Sequence, residues 1–152
     1  MAANQTTTSS PLATTTGLPI KYTVTHTRKA GVSEKAFIDW FQGVHLPAGV
    51  PLMKKHGIVK YAVHVRDPKV GAAFQAEVDK VRPGWKVSKC DVVLEYWTYD
   101  MGNLKSLIMD PEWQERAVKD EEDWIDSSEA TIHIGYDTTY LADGQILNVD
   151  AK

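Results

Sequence analysis

Residues 90–99 read Cys-Asp-Val-Val-Leu-Glu-Tyr-Trp-Thr-Tyr, the most hydrophobic segment of the chain. Alternation puts Val92, Leu94 and Tyr96 on one face of a strand and Val93, Trp97 and Tyr99 on the other. A sheet covered by helices on one side only would carry polar residues on its second face. Both faces of this strand are therefore expected to be buried. Working outward, residues 20–27 (IKYTVTHT) alternate with period two and group Tyr22, Val24 and His26. Residues 58–66 and 130–141 read as two more strands. Ser33 stands where a helix N-cap belongs, followed by Phe37, Phe41, Val44 and Ala48 at helical spacing. Gly43, Pro47 and Pro51 are expected to break that helix, leaving a second short piece that ends at His56-Gly57. A polar helical stretch around Phe74 and Val78 precedes the central strand. Helical segments at about 101–109 and 111–124 follow it, separated by Asp110-Pro111. The order β-α-β-β-α-β is the ferredoxin-like α+β plan. Because helices cover only one side, the simplest cover for the other is a second copy, giving a homodimeric α+β barrel.

The chain has 152 residues, 43% hydrophobic and 24% charged, with a formal net charge of −3. That length suits one domain. A pI near 5.9 argues against nucleic-acid binding, and no run of about 18 apolar residues would cross a membrane. The first eighteen residues are dominated by Thr, Ser and Ala, lack charge, and match neither a secretory nor a mitochondrial leader. They read as a disordered tail. The domain then spans 19–143, and 144–152 forms a C-terminal tail. A cytoplasmic protein is expected.

Cys90 is the single cysteine, and neither HExxH nor CxxC occurs, so no metal site is expected. No glycine-rich phosphate loop follows a strand and no GxSxG elbow is present. Cofactor-free acid–base chemistry remains, and histidine is the side chain suited to it near neutral pH. His26 lies near a strand end, either as a hydrogen-bonded structural residue or as an acid or base at a cavity mouth. His45 precedes Pro47 at an expected helix end, which would hold it at a pocket edge. His56 sits where the helix dipole alone would favour it. His64 is expected to face solvent. His133 shares a face with Gly135, which leaves room for something to approach. The acidic run from Glu112 to Asp126 reads as a solvated helix face. Five tryptophans and six tyrosines either fill a core or line a pocket for a flat aromatic molecule.

The stretch Asp39-Trp40, His45-Leu46-Pro47, Leu52 to Ile58 and Tyr61 resembles the EthD-type dimeric α+β barrel proteins of fungal polyketide pathways. Asp110 to Trp113, Asp123 to Asp126, Gly135-Tyr136 and Asp143-Gly144 fit the same pattern. Within that family the chain is most similar to the small decarboxylases of atrochrysone carboxylic acid, and the likeness covers about residues 20–146. The resemblance implies a homodimer that decarboxylates an aromatic polyketide acid without metal or organic cofactor. Such an enzyme needs a donor to a carbonyl oxygen, a proton for carbon and a dry aromatic pocket. His45 is the candidate proton donor, with His26, His56 or His133 and Tyr61 or Tyr136 polarising the carbonyl. Tyr22, Trp40, Phe41, Trp97 and Tyr136 are the candidates to bind substrate. A dehydratase or aldol cyclase on the same scaffold, or a non-catalytic polyketide-binding protein, are the alternatives.

Overall fold

The computed structural model describes residues 10–150 and residue 152. The tail expected at the N-terminus therefore lies outside the described residues as far as position 9, as does position 151.

Four strands form one antiparallel sheet: β1 (Ile20–His26), β2 (Lys60–Val65), β3 (Val92–Thr98) and β4 (Ile132–Gly135), ordered β2-β3-β1-β4. This is the ferredoxin-like arrangement, with β3 central as its hydrophobicity requires. Tyr22 lies opposite both Tyr96 and Ile134, and Val24 opposite both Leu94 and Ile132. Directly paired residues share a face; Tyr22, Val24, Leu94 and Tyr96 form the floor on which the helices pack, while Ile132 and Ile134 on the edge strand are exposed. Between β1 and β2 lie α1 (Glu34–Trp40), a π-helical turn (Phe41–His45) and α2 (Leu46–Lys55). After β3 come α4 (Met101–Met109), α5 (Pro111–Arg116) and α6 (Glu121–Trp124). The core unites Phe37, Phe41 and Met53 from the first group, Leu107 and Trp113 from the second, and Val92, Leu94 and Tyr96 from the sheet. The remaining helix, α3 (Pro68–Val81), joins β2 to β3 and buries no residue.

Local signals explain most boundaries. Ser33 Oγ accepts a hydrogen bond from the Ala36 amide at 3.2 Å, capping α1 as expected. At the end of α2, Gly57 adopts φ +82°. Its amide bonds the Lys54 carbonyl while Ile58 bonds Met53, a paired closure that needs a left-handed residue. Asp91 is buried at the edge of the sheet and ties three segments together. It accepts from the Arg28 backbone amide at 2.8 Å, from the Arg28 guanidinium, and from Arg66 Nη2 at 3.0 Å.

Four expectations need correction. Pro47 and Pro51 both lie inside α2, and the chain runs helically from Glu34 to Lys55 without a break. Pro47 has no amide proton and its ring crowds the carbonyl four residues back. The wider π turn, closed by the Leu46 amide on the Phe41 carbonyl, absorbs both problems. Second, the helix expected at 111–124 is two helices. Four acidic residues from Asp120 to Asp123 are unfavourable at a helix C-terminus and favourable at an N-terminus, so a new helix starts there.

Third, residues 10–18 are not a loose tail. The Thr14 amide bonds the Tyr99 carbonyl at 2.8 Å, and the Met101 amide bonds Leu12 at 2.9 Å. Fourth, the sheet's outer face is less apolar than β3 alone indicated. Trp97 is only 8% exposed because the ammonium groups of Lys21 and Lys60 lie over its ring, at 4.9 and 4.2 Å, and its indole N–H reaches Asp137. Tyr99 falls outside the strand and is half exposed. At the C-terminus, β5 (Leu141–Ala142) and β6 (Gln145–Ile146) form a small exposed hairpin.

Candidate active site

Between the sheet and helices α4 to α6 lies a cavity of about 390 Å³. Its floor is Tyr22, Val24, His26, Leu94 and Tyr96. Its roof includes His45, Leu107, Trp113, Gln114 and Glu121. Two histidines from distant parts of the sequence thus face one space.

His45 is 3% exposed, so it is not at a pocket rim as its neighbouring proline had indicated. The π turn carries it inward, where its ring stacks on Phe41 at 4.9 Å and meets the edge of Trp113 at 5.8 Å. Its Nδ1 lies 2.9 Å from the Ala117 carbonyl oxygen. That carbonyl is free because α5 ends at Arg116, and in a longer helix it would accept from Glu121. A carbonyl only accepts, so Nδ1 carries the proton and Nε2 presents a lone pair. Nε2 is buried and has no hydrogen-bond partner. Burial lowers the affinity of His45 for a second proton, outweighing the opposite effect of Ala117. His45 is therefore a neutral imidazole poised to accept a proton, not to donate one.

His26 also has a buried nitrogen, Nδ1, without a partner. Burial, and secondarily the proximity of His45, pushes it down to about 4. Tyr22 and Tyr96 meet edge to face at 5.6 Å, and burial holds both phenols above their ordinary range. They stay protonated near neutral pH and can donate to a substrate oxygen. Tyr61 packs against Tyr96 at 4.7 Å on the same face of the sheet, with its hydroxyl buried and unpartnered, but does not line the cavity.

The other sequence candidates sit elsewhere. His56 Nε2 donates to Asp110 Oδ2 at 2.6 Å, and Lys55 bonds the same oxygen, which joins α2 to the start of α5. That contact, more than the dipole of its own helix, accounts for the residue. His133 pairs with Thr23 on the outer face of the sheet, opposite the cavity, and is exposed. His64 is exposed on that outer face, as expected. Trp40 and Phe41 support His45 from the core: Trp40 stacks on Trp124 at 5.2 Å and lies 5.6 Å from the imidazole. Trp97 faces away from the cavity. Tyr136 lines a second, more apolar pocket of about 590 Å³, which shares Leu104 and Ile108 with the first and is bordered by Pro11 to Ala13. Glu121 was hidden within an acidic run that reads as solvated surface. Only the helix break at 117–120 turns it inward. Among the described residues no three His, Cys, Asp or Glu side chains come together as metal ligands. No helix among them is long and apolar enough to cross a membrane.

A ferredoxin-like sheet with a histidine-bearing cavity under its helices defines a class of small α+β proteins. The EthD domain matches residues 29–128, and the chain belongs to that family. It is 56% identical over 133 residues to dehydratase iacD of Pestalotiopsis fici, covering 88% of this chain and 96% of that protein. It is 28% identical to a conidial pigment biosynthesis dehydratase of Metarhizium robertsii, over 82% of this chain and 87% of the other. A solution structure of a hypothetical Arabidopsis thaliana protein superposes with a TM-score of 0.50 at 12% identity, over 86% of this chain and 94% of its own.

Proposed function

We propose that this protein is a cofactor-independent dehydratase acting on a neutral hydroxy ketone of a polyketide pathway, where loss of water extends conjugation toward an aromatic ring. One observation carries the reading: the unpartnered, unprotonated Nε2 of buried His45 faces a cavity floored by two protonated tyrosines. A phenol donating to the substrate carbonyl acidifies the adjacent C–H, and His45 Nε2 takes that proton. The names of the relatives support dehydration. The decarboxylation implied by the sequence resemblance fits the cavity less well. No lysine or arginine lines it, so a carboxylate substrate would find no counter-charge there, and Glu122 adds none. The apolar second pocket offers room for the remaining rings. Two copies are further proposed to pair through the outer face of the sheet.

Incubation of the purified protein with β-hydroxy ketone polyketides tests the reaction. The expected product has lost one water; release of carbon dioxide from a polyketide acid would instead restore the decarboxylase. His45→Asn keeps a donor near the Ala117 carbonyl and removes Nε2. It should fold and lose about 100-fold or more in kcat, the usual scale for a general base. His64→Ala, on the outer face, should leave turnover unchanged.

A further inference from the structure

A base alone does not complete a dehydration, because hydroxide is a poor leaving group. We propose that Glu121 is the general acid of this site, delivering a proton to the departing hydroxyl while His45 removes the proton from carbon. This assignment rests on the dehydratase reading above.

Three observations carry it. Glu121 lines the same cavity as His26 and His45, from the opposite side of the helix break that frees the Ala117 carbonyl. It is half-buried and shares the cavity lining with Tyr96 of the floor, so it is turned toward the sheet and not fully out in solvent. No lysine or arginine lines the cavity to hold it as a carboxylate. Burial accordingly raises its proton affinity above that of an ordinary glutamate. A neutral imidazole pushed down and a carboxyl pushed up form an acid–base pair with the two roles separated by environment.

The step balances without a co-reactant. The C–H bond next to the carbonyl breaks and its proton passes to His45 Nε2. The electron pair forms the new double bond as the C–O bond breaks. The Glu121 proton joins the departing oxygen, and water leaves. The imidazolium then returns its proton to the Glu121 carboxylate, through water in the emptied cavity, and both groups are reset.

The test uses two racemic probes that differ only in their need for that proton. 3-Hydroxy-1-tetralone yields 1-naphthol by losing water; 3-acetoxy-1-tetralone yields the same naphthol by losing acetate, which needs no acid. Glu121→Gln preserves volume and cannot donate the proton. It should lose about 100-fold or more on the hydroxy probe and stay within a few-fold of wild type on the acetoxy probe. His45→Asn should be slow on both. Equal losses on both probes in Glu121→Gln would make Glu121 a structural residue, and no loss on either would remove it from the mechanism. Both results overturn the acid while leaving the dehydratase standing. A wild-type protein that converts neither probe, nor any β-hydroxy ketone, overturns the dehydratase reading and the acid with it.

Discussion

Two neutral imidazoles buried in one cavity have a consequence for stability as well as for chemistry. An unfolded histidine takes up its proton near 6.5, whereas folded His26 does so at about 4 and folded His45 below its ordinary value. Between those limits the unfolded chain binds more protons than the folded one, so stability is complete above about 6.5 and falls as pH drops toward 4. Thermal unfolding followed by circular dichroism should show Tm declining through this window. His26→Gln should flatten that decline; an unchanged slope would mean that other groups govern it. Individual residues were unevenly legible beforehand. Histidine chemistry could be named from composition, but the protonation of His45 depends on a carbonyl 72 positions away. Glu121 carried no signal of its own, because its orientation is set by where a helix stops.

Among the elements, strands and caps could be read in advance because their determinants are local: alternation in β1 and β3, Ser33 before α1, Gly57 after α2. The π turn could not. Pro47 forbids one hydrogen bond, and nothing nearby says whether the helix will end or widen. Packing of Phe37 and Trp40 before the turn, Phe41 within it, and Leu52 and Met53 after it favours continuation. Two glycines in this region separate the effects of backbone and space. A Cβ at Gly43 would meet nothing within 4 Å. Gly43→Ala should therefore raise stability by about 0.5–1 kcal/mol through reduced freedom of the unfolded chain. A Cβ at Gly49 would lie 3.1 Å from Trp113 Cζ3, where α2 crosses α5. Gly49→Val should destabilise by about 1–3 kcal/mol and, by displacing the ring that borders His45, slow turnover as well. Chemical denaturation of the two variants checks the opposite signs.

The assembly is where sequence and structure pull hardest against one another. In the sequence, Val93, Trp97 and Tyr99 make the outer face of β3 look buried. Within one chain, Trp97 is already covered by two lysines and Tyr99 lies beyond the strand. What remains apolar on that face is Val93, Ala62 and the aliphatic part of Lys60, among Thr23, Thr25, His64, His133 and the Lys21–Glu95 ion pair at 2.7 Å. The helices that contribute to the core all pack on the Tyr22–Leu94–Tyr96 side, and α3 reaches the outer face only beside His64 and Val93. A mostly uncovered sheet face with an aliphatic centre and a polar border has the anatomy of an interface. Light scattering at micromolar concentration should accordingly give a mass of two chains. A charge introduced at the centre tests the face directly: Val93→Lys would bury an unpaired ammonium in the dimer and cost far less in the monomer, where the long stem of the half-buried side chain can carry its charge to water. The variant should be monomeric with an unchanged circular dichroism spectrum. A wild-type protein that stays monomeric, or a Val93→Lys protein that stays dimeric, would place the contact elsewhere or remove it. Because the cavity lies on the other side of the sheet, a folded Val93→Lys monomer should keep the dehydration chemistry.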